Sequence, residues 1–288
     1  MLQTRALVLA NECLNEEHWR LTLATPEIAA MIRPGQFVNL RVNSANDPLC
    51  RRPFTVFRPV NVGDVLGVEI VYRLAGRATR LMTAVRPGQE FDIIGPLGRG
   101  YRRDPSKRVH ILVGGGSGVA SLYALGQELS EVAREQKLEP VSVLGFRSRG
   151  MVMLEEEFGS LGGELVLATD DGTHGRKGSA VDVLSSIVEA RGCADDCVVY
   201  ASGPEPMNRA LVGFCREHGI PGQLAMEKHM LCGIGACLTC TCKVDKTGVL
   251  KHRDLTSSHI QLDPRSEIGY ALVCRDGPIF DLDEVVLE

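Results

Sequence analysis

The stretch LCGIGACLTC, from Leu231 to Cys240, places Cys232, Cys237 and Cys240 at CxxxxCxxC spacing, and Cys274 follows downstream in LVCRDGPIF. Three clustered thiolates and a distant fourth form the ligand pattern of a plant-type [2Fe-2S] cluster, which carries one electron at a time. Gly233 and Gly235 allow the loop to wrap an inorganic core and aim backbone N–H groups at its sulfurs. Two alternatives use the same residue type. A structural zinc site needs four cysteines but usually takes them as two tight pairs on separate turns. Cys242 competes with Cys274 for the fourth position, because on an extended run it shares a face with Cys240. A disulfide framework is disfavoured in a chain of 288 residues with ample core and no recognisable secretory signal.

A second constellation lies in LVGGGSGVASLYAL, where Gly114, Gly115, Gly116 and Gly118 fall between an apolar strand and a helix. Bare backbone there can approach a pyrophosphate whose charge faces the helix N-terminus, although close helix-to-strand packing also calls for glycine. Ser202, Gly203 and Pro204 in ASGPEPM end a later strand, and ligands of open parallel sheets gather beyond such ends. RRPFTV offers Arg52 to phosphate oxygens, followed by Phe54 and Thr55, although a charged edge strand would read the same. In VYRLAGRAT, Tyr72 is placed either against a flat ring or as an ordinary half-buried strand aromatic. Gly76 and Thr79 are placed to present N–H and hydroxyl groups to phosphate.

Electron number links these parts. Nicotinamide cofactors exchange two electrons as hydride, whereas a [2Fe-2S] cluster accepts one. A flavin converts between them, so the chemistry expects a flavin held between a nicotinamide domain and the cluster. Such a protein needs no general acid, base or nucleophile.

The elements that must position these groups follow two rhythms. From Gln3 to about Gly100, short alternating runs such as FVNLRV, FTVFRPV and VLGVEIVYRL are cut by Pro and Gly turns, which predicts an antiparallel barrel over residues 1–101. From Arg108 strands and helices alternate, which predicts a parallel-sheet α/β domain over 102–222. The helix after the glycine turn carries Leu122, Leu125, Leu129 and Val132 on one face. Residues 223–288 form the cluster module. Asp170, Asp171 and His174 read as a solvated turn rather than a metal site, Glu155 to Glu157 as a helix start, and His229 as an exposed neighbour of the cluster loop.

Composition is that of an ordinary soluble protein, 44% hydrophobic and 24% charged. A net charge of −4 argues against nucleic acid, and no apolar run reaches membrane-spanning length. Ten cysteines fit a reducing, cytoplasmic compartment in which some ligate metal and others, such as Cys13, Cys50 and Cys215, act as small hydrophobes.

In this order, RRPFTV, VYRLAGRAT, GPLGRGY, LVGGGSGVASLY, LGFRS, EEEF, ATDDGTHGRKG, SGPEPM and MEKHMLCGIGACLTC resemble signatures of the electron-transfer subunits of two-subunit, NAD-linked dihydroorotate dehydrogenases, within the ferredoxin-reductase family. The resemblance spans almost the whole chain. It implies FAD contacts at Arg52, Pro53, Phe54, Thr55, Val71, Tyr72, Arg73, Ala78 and Thr79, and cluster ligation by Cys232, Cys237, Cys240 and Cys274. It further implies a partner: an FMN-containing catalytic subunit that oxidises dihydroorotate in pyrimidine biosynthesis, assembled as a heterotetramer of two of each. Electrons would pass through the cluster to FAD and on to NAD. Three departures stand out. Ala78 replaces a usual glycine, Ser202 stands where relatives often carry cysteine, and the stretch from Lys243 to Val273 is longer than the short hairpin expected there. A second resemblance, to the small flavin and [2Fe-2S] subunit of an NADH-dependent ferredoxin:NADP oxidoreductase or sulfide dehydrogenase, shares the domain order, but CGIGAC and GFRS favour the first. A non-catalytic adaptor that retains the fold is the reading from another class.

Overall fold

Alternation of apolar and polar residues closes the first hundred positions into a barrel in the computed structural model, which describes residues 1–43 and 47–287. Its strands are β1 (Leu2–Cys13), β2 (His18–Ala24), β3 (Phe37–Arg41), β4 (Arg52–Val62), β5 (Val65–Arg73) and β6 (Glu90–Leu97), with short helices α1 (Pro26–Ala29) and α2 (Arg77–Thr83) between them. All neighbours are antiparallel in the order β1-β2-β5-β4-β3-β6, and β6 closes on β1. Inward residues such as Val8, Leu21, Leu23, Val38, Leu40, Ile70, Tyr72 and Ile93 form its core.

The second rhythm builds β7 (Val109–Gly115), α3 (Tyr123–Gln136), β8 (Glu139–Phe146), α4 (Glu155–Gly159), β9 (Glu164–Thr169), β10 (Arg176–Lys177), α5 (Ala180–Arg191), β11 (Cys197–Ser202), α6 (Glu205–Glu217) and β12 (Gly222–Ala225). Strands β7 to β9 and β11 are buried almost throughout, as parallel strands covered on both faces must be. Helix α5 shows how local chemistry sets the ends: the Ser179 hydroxyl accepts from the Asp182 N–H, Asp182 accepts from the Ser179 N–H, and Gly192 stops the helix at φ 57°. Of the expected apolar face of α3, Leu122, Leu125 and Leu129 are buried and Val132 is half-buried.

The chain then forms a small sheet from β13 (Thr241–Asp245), β14 (Gln261–Leu262) and β15 (Ile268–Leu272), with α7 (Lys246–His252) after β13, before β16 (Ile279–Asp281) returns to the large sheet. That sheet has the order β10-β9-β8-β7-β11-β12-β16, parallel except for β16, which runs antiparallel to β12. The division expected between 222 and 223 therefore cuts through β12, and the cluster module is inserted between β12 and the edge strand β16 with which it pairs. Backbone pairing is the reason, since Gln223, Leu224 and Ala225 ladder with Asp281, Phe280 and Ile279. Cys193, Cys197 and Cys215 are buried, whereas Cys13 is exposed and is not a core residue. Among the described residues, no helix is long and apolar enough to cross a membrane.

Candidate functional site

The cluster loop is irregular backbone held in left-handed conformations, with Gly233 at φ 72°, Gly235 at φ 89° and Leu238 at φ 59°. Cys232 is half-buried, Cys237 exposed, and Cys240 and Cys274 buried. The four thiols meet as two pairs. Cys237 lies beside Cys232, and Cys274 beside Cys240, whose sulfur accepts from the Cys274 N–H at 3.4 Å. The Ile234 N–H points at the Cys232 sulfur at 3.5 Å. Two pairs of thiols suit a centre with two metal atoms.

Electrostatics separates the pairs. Hydrogen bonds from Thr239 and Cys232 pull exposed Cys237 down to about 6, whereas burial, followed by its contact with Cys240, pushes Cys274 up to about 12. Cys242 sits on β13 opposite Ala271, 4% exposed, and burial pushes it to about 12 as well. Cys240, Cys242 and Cys274 all pack in one apolar core, and it is the Cys274 N–H that reaches the Cys240 sulfur.

One residue that sequence reading missed joins this loop to the barrel. Asn39 on β3 is fully buried, and its Nδ2 donates to the Cys232 carbonyl at 3.1 Å. A Cβ on Gly233 would lie 2.6 Å from that nitrogen, so the glycine is needed for close approach as well as for its φ. Asn39 pairs in register with Pro53, and Val38 with Phe54, so the strand that grips the cluster loop also neighbours RRPFTV. The Asn39 Oδ1 has no hydrogen-bond partner among the described residues.

In RRPFTV, Arg52, Pro53, Phe54 and Thr55 are all half-buried, outside the tightly packed core. The Arg52 guanidinium donates to the Cys50 and Arg51 carbonyls at 2.7 and 3.1 Å. Tyr72 behaves as the strand aromatic: it is 2% exposed inside the barrel, its hydroxyl donates to Asn11 Oδ1, and its ring meets Phe54 edge-on at 6.1 Å. Its neighbour Val71 points the other way, into the core shared with Tyr123 and Leu122, and Arg73 is exposed. The Gly76 N–H and Thr79 hydroxyl are not free for phosphate, because Thr79 Oγ1 accepts from the Ala75 and Gly76 N–H groups at 3.0 and 3.2 Å. Ala78 is buried at the start of α2.

The glycine turn divides its work. A Cβ on Gly114 would meet Val119 at 2.8 Å, and one on Gly118 would meet the Ser202 carbonyl at 2.4 Å, so these two serve close packing. Gly116 faces open space at φ 52°, and Gly115 abuts Met207 and Pro204. Gly115, Gly116, Ser117, Pro204 and Met207 line a cleft of about 240 Å³ with Arg73 and His18 from the barrel and Arg147 and Asp170 from the sheet. Ser202 and Gly203 end β11 beside this turn, both buried. His18, which sequence reading also missed, is 2% exposed; its Nδ1 lies 2.9 Å from Asn15 Oδ1, while Nε2 is buried without a partner among the described residues. Burial holds its pKa below the ordinary histidine value. The ATDDGTHG segment is a surface turn, with Asp171 accepting from Thr173 and His174 paired with Glu155 at 3.0 Å.

Comparison with known proteins places both regions. Residues 8–101 match an oxidoreductase FAD-binding domain, and residues 227–253 match the iron-sulfur cluster binding domain of dihydroorotate dehydrogenase B. The chain is 39% identical to the electron transfer subunit of dihydroorotate dehydrogenase B (NAD(+)) of Geobacillus thermodenitrificans, and 38% identical to that of Bacillus caldolyticus, in each case over 98% of both chains. Among solved structures, that of an NADH-dependent reduced ferredoxin-NADP oxidoreductase shares the fold with a TM-score of 0.75 at 24% identity, covering 98% of this chain and 90% of that one. The ferredoxin reductase of a carbazole 1,9a-dioxygenase aligns with a TM-score of 0.64 at 21% identity, over 76% of this chain and 66% of that one. With an FAD-binding barrel, an iron-sulfur module and full-length relatives at this identity, the chain belongs to the family of electron transfer subunits of NAD-linked dihydroorotate dehydrogenase B.

Proposed function

We propose that this chain relays electrons between an FMN-containing, dihydroorotate-oxidising subunit and NAD in pyrimidine biosynthesis, in an assembly of two copies of each. When bound, FAD exchanges hydride with nicotinamide and single electrons with a [2Fe-2S] cluster, which is the conversion such a relay needs. The observation that carries this reading is Asn39, which ties the Cys232 carbonyl to the strand beside the flavin motif.

In this reading Cys232, Cys237, Cys240 and Cys274 would hold the cluster, which would supply one-electron transfer. Arg52, Pro53, Phe54 and Thr55 seat the flavin, with Val71, Tyr72, Arg73, Gly76, Ala78 and Thr79 supporting it. Tyr72 does so from inside the barrel, by packing behind Phe54. The cleft of Gly114, Gly115, Gly116, Gly118, Ser202, Gly203 and Pro204 receives the nicotinamide nucleotide. Buried Ser202 and Gly203 keep water from its inner end, and Gly116 leaves backbone open to the pyrophosphate. Units 1–101, 102–222 and 223–288 divide the labour as barrel, nicotinamide sheet and cluster module, the last lending β16 to the sheet.

Leu231, Ile234 and Leu238 surround the cluster cysteines at 48%, 40% and 62% exposure, an apolar rim that suits burial against the catalytic subunit. Mixing the holoprotein with that subunit and dihydroorotate should reduce NAD. Reduction of NADP by ferredoxin with no response to dihydroorotate would instead support the NADH-dependent ferredoxin:NADP oxidoreductase reading.

A further inference from the structure

The segment between Lys243 and Val273, longer than the hairpin expected there, brings a buried cation to the turn that carries Cys274. Arg253 follows α7 and its side chain is 2% exposed. Its guanidinium makes four hydrogen bonds: Nε and Nη2 to the two oxygens of Glu284, Nη1 to the Asp276 carbonyl at 2.7 Å, and Nη2 to the Ile279 carbonyl at 3.2 Å. It also lies 5.0 Å from the centre of the Phe280 ring. Glu284 is fully buried and accepts from the Asp281 N–H at 2.8 Å. One side chain of the insertion therefore grips the backbone on both sides of Gly277 and Pro278, between Cys274 and β16.

Asp276 completes the knot. It is 3% exposed, and its carboxylate accepts from the His259 N–H and the Leu272 N–H, each at 2.8 Å, while its own N–H donates to the Leu272 carbonyl at 2.7 Å. Cys274 thus sits in a turn closed between Leu272 and Asp276, with the insertion bound to both the main chain and the side chain of Asp276. Burying an ion pair contributes little net stability, because desolvation offsets the attraction, but a bidentate guanidinium imposes geometry. Geometry is what a thiolate that must reach an iron requires.

We propose that Arg253 is a positioning residue for Cys274, and that the insertion is a strut that holds the fourth cluster ligand in place. The inference rests on the reading of Cys274 as a ligand, and it concerns how that ligand is held. Outer-shell groups that orient metal ligands typically alter metal affinity ~10–100-fold when removed. Arg253→Lys keeps the charge opposite Glu284 but cannot span both carbonyls, so it separates geometry from charge.

The test compares iron release to a chelator with FAD release in the purified holoprotein, for wild type, Arg253→Lys, the double variant Arg253→Met/Glu284→Gln, and Cys274→Ser. Iron release from Arg253→Lys should accelerate ~10–100-fold, with an altered cluster EPR spectrum and an unchanged rate of FAD release. The double variant, which leaves no buried charge unpaired, should behave the same way. Iron and FAD release rising together would make Arg253 merely structural and overturn the inference. Wild-type iron release in Arg253→Lys, with Cys274→Ser devoid of cluster, would overturn the inference alone. A full cluster in Cys274→Ser would overturn the ligand reading and the inference with it.

Discussion

The cleft at the glycine turn and the cluster loop are built in opposite ways. The cleft is made where regular elements end, with β7, β11 and the turn before α3 packed so closely that Gly114 and Gly118 have no room for a Cβ. The cluster loop has no regular structure. Its shape depends on Gly233, Gly235 and Leu238 in left-handed conformations, and on ties from elsewhere: Asn39 from the barrel, and Arg253 and His259 bound to Asp276 beyond Cys274. Organic cofactors exchange, so their site must persist without them; a cluster stays, so its loop can depend on metal bonds for much of its order.

That difference is broken most severely by Cys274→Ser. The variant should lose the [2Fe-2S] absorption entirely while retaining FAD and nucleotide binding, because the cleft and barrel do not rest on the loop. Intact cluster absorbance would point instead to Cys242. Gly118→Ala attacks the other region: its Cβ would lie 2.4 Å from the Ser202 carbonyl, and overpacking of this kind costs about 1–3 kcal/mol. NAD affinity should fall in a titration while iron content stays at the wild-type level.

Asn39→Ala sharpens the comparison where the two regions touch. Removing Nδ2 leaves the Cys232 carbonyl without its donor, a loss of about 1–3 kcal/mol. Iron should leave faster to a chelator, and transfer between flavin and cluster should slow in stopped-flow traces, with NAD affinity unchanged. The smallest effect concerns His18, whose pKa is lowered by burial. A histidine whose folded pKa lies below its unfolded value adds stability that is complete above about pH 6.5 and declines as pH falls through the folded value. Thermal unfolding from pH 7.5 to 5.5 should therefore show a steeper loss for wild type than for His18→Leu. Identical slopes would remove His18 from the account.

Legibility in the sequence followed the same divide. Alternation gave away the barrel, and the change of rhythm at Arg108 the parallel sheet, because both patterns are local. The spacing of Cys232, Cys237 and Cys240 is local and marks the cluster loop, whereas the fourth position, Cys274 or Cys242, depends on how a distant segment folds back. The ties were not legible. Asn39 is one polar residue in FVNLRV, and its partner lies 193 positions away. Arg253 and Glu284 look like surface charges until they are found buried together. Strand alternation puts Val71 and Tyr72 on opposite faces without saying which faces the barrel interior. Nor could three residues of β16, at the end of the chain, announce that they complete a sheet begun at β7. The Gly76 and Thr79 pairing was nearer to hand, because a hydroxyl three residues after a helix start reaches back to cap it.

The cluster and the flavin are read as one path, with the cluster loop held through Asn39 to β3, the strand that pairs with the flavin motif on β4. Anaerobic mixing of the isolated holoprotein with NADH, followed by absorbance and freeze-quench EPR, tests it most directly. Flavin absorbance should bleach first, the reduced-cluster signal should grow as a later phase, and Cys274→Ser should show only the first. A cluster signal that never appears, or one that appears before the flavin is reduced, would contradict it.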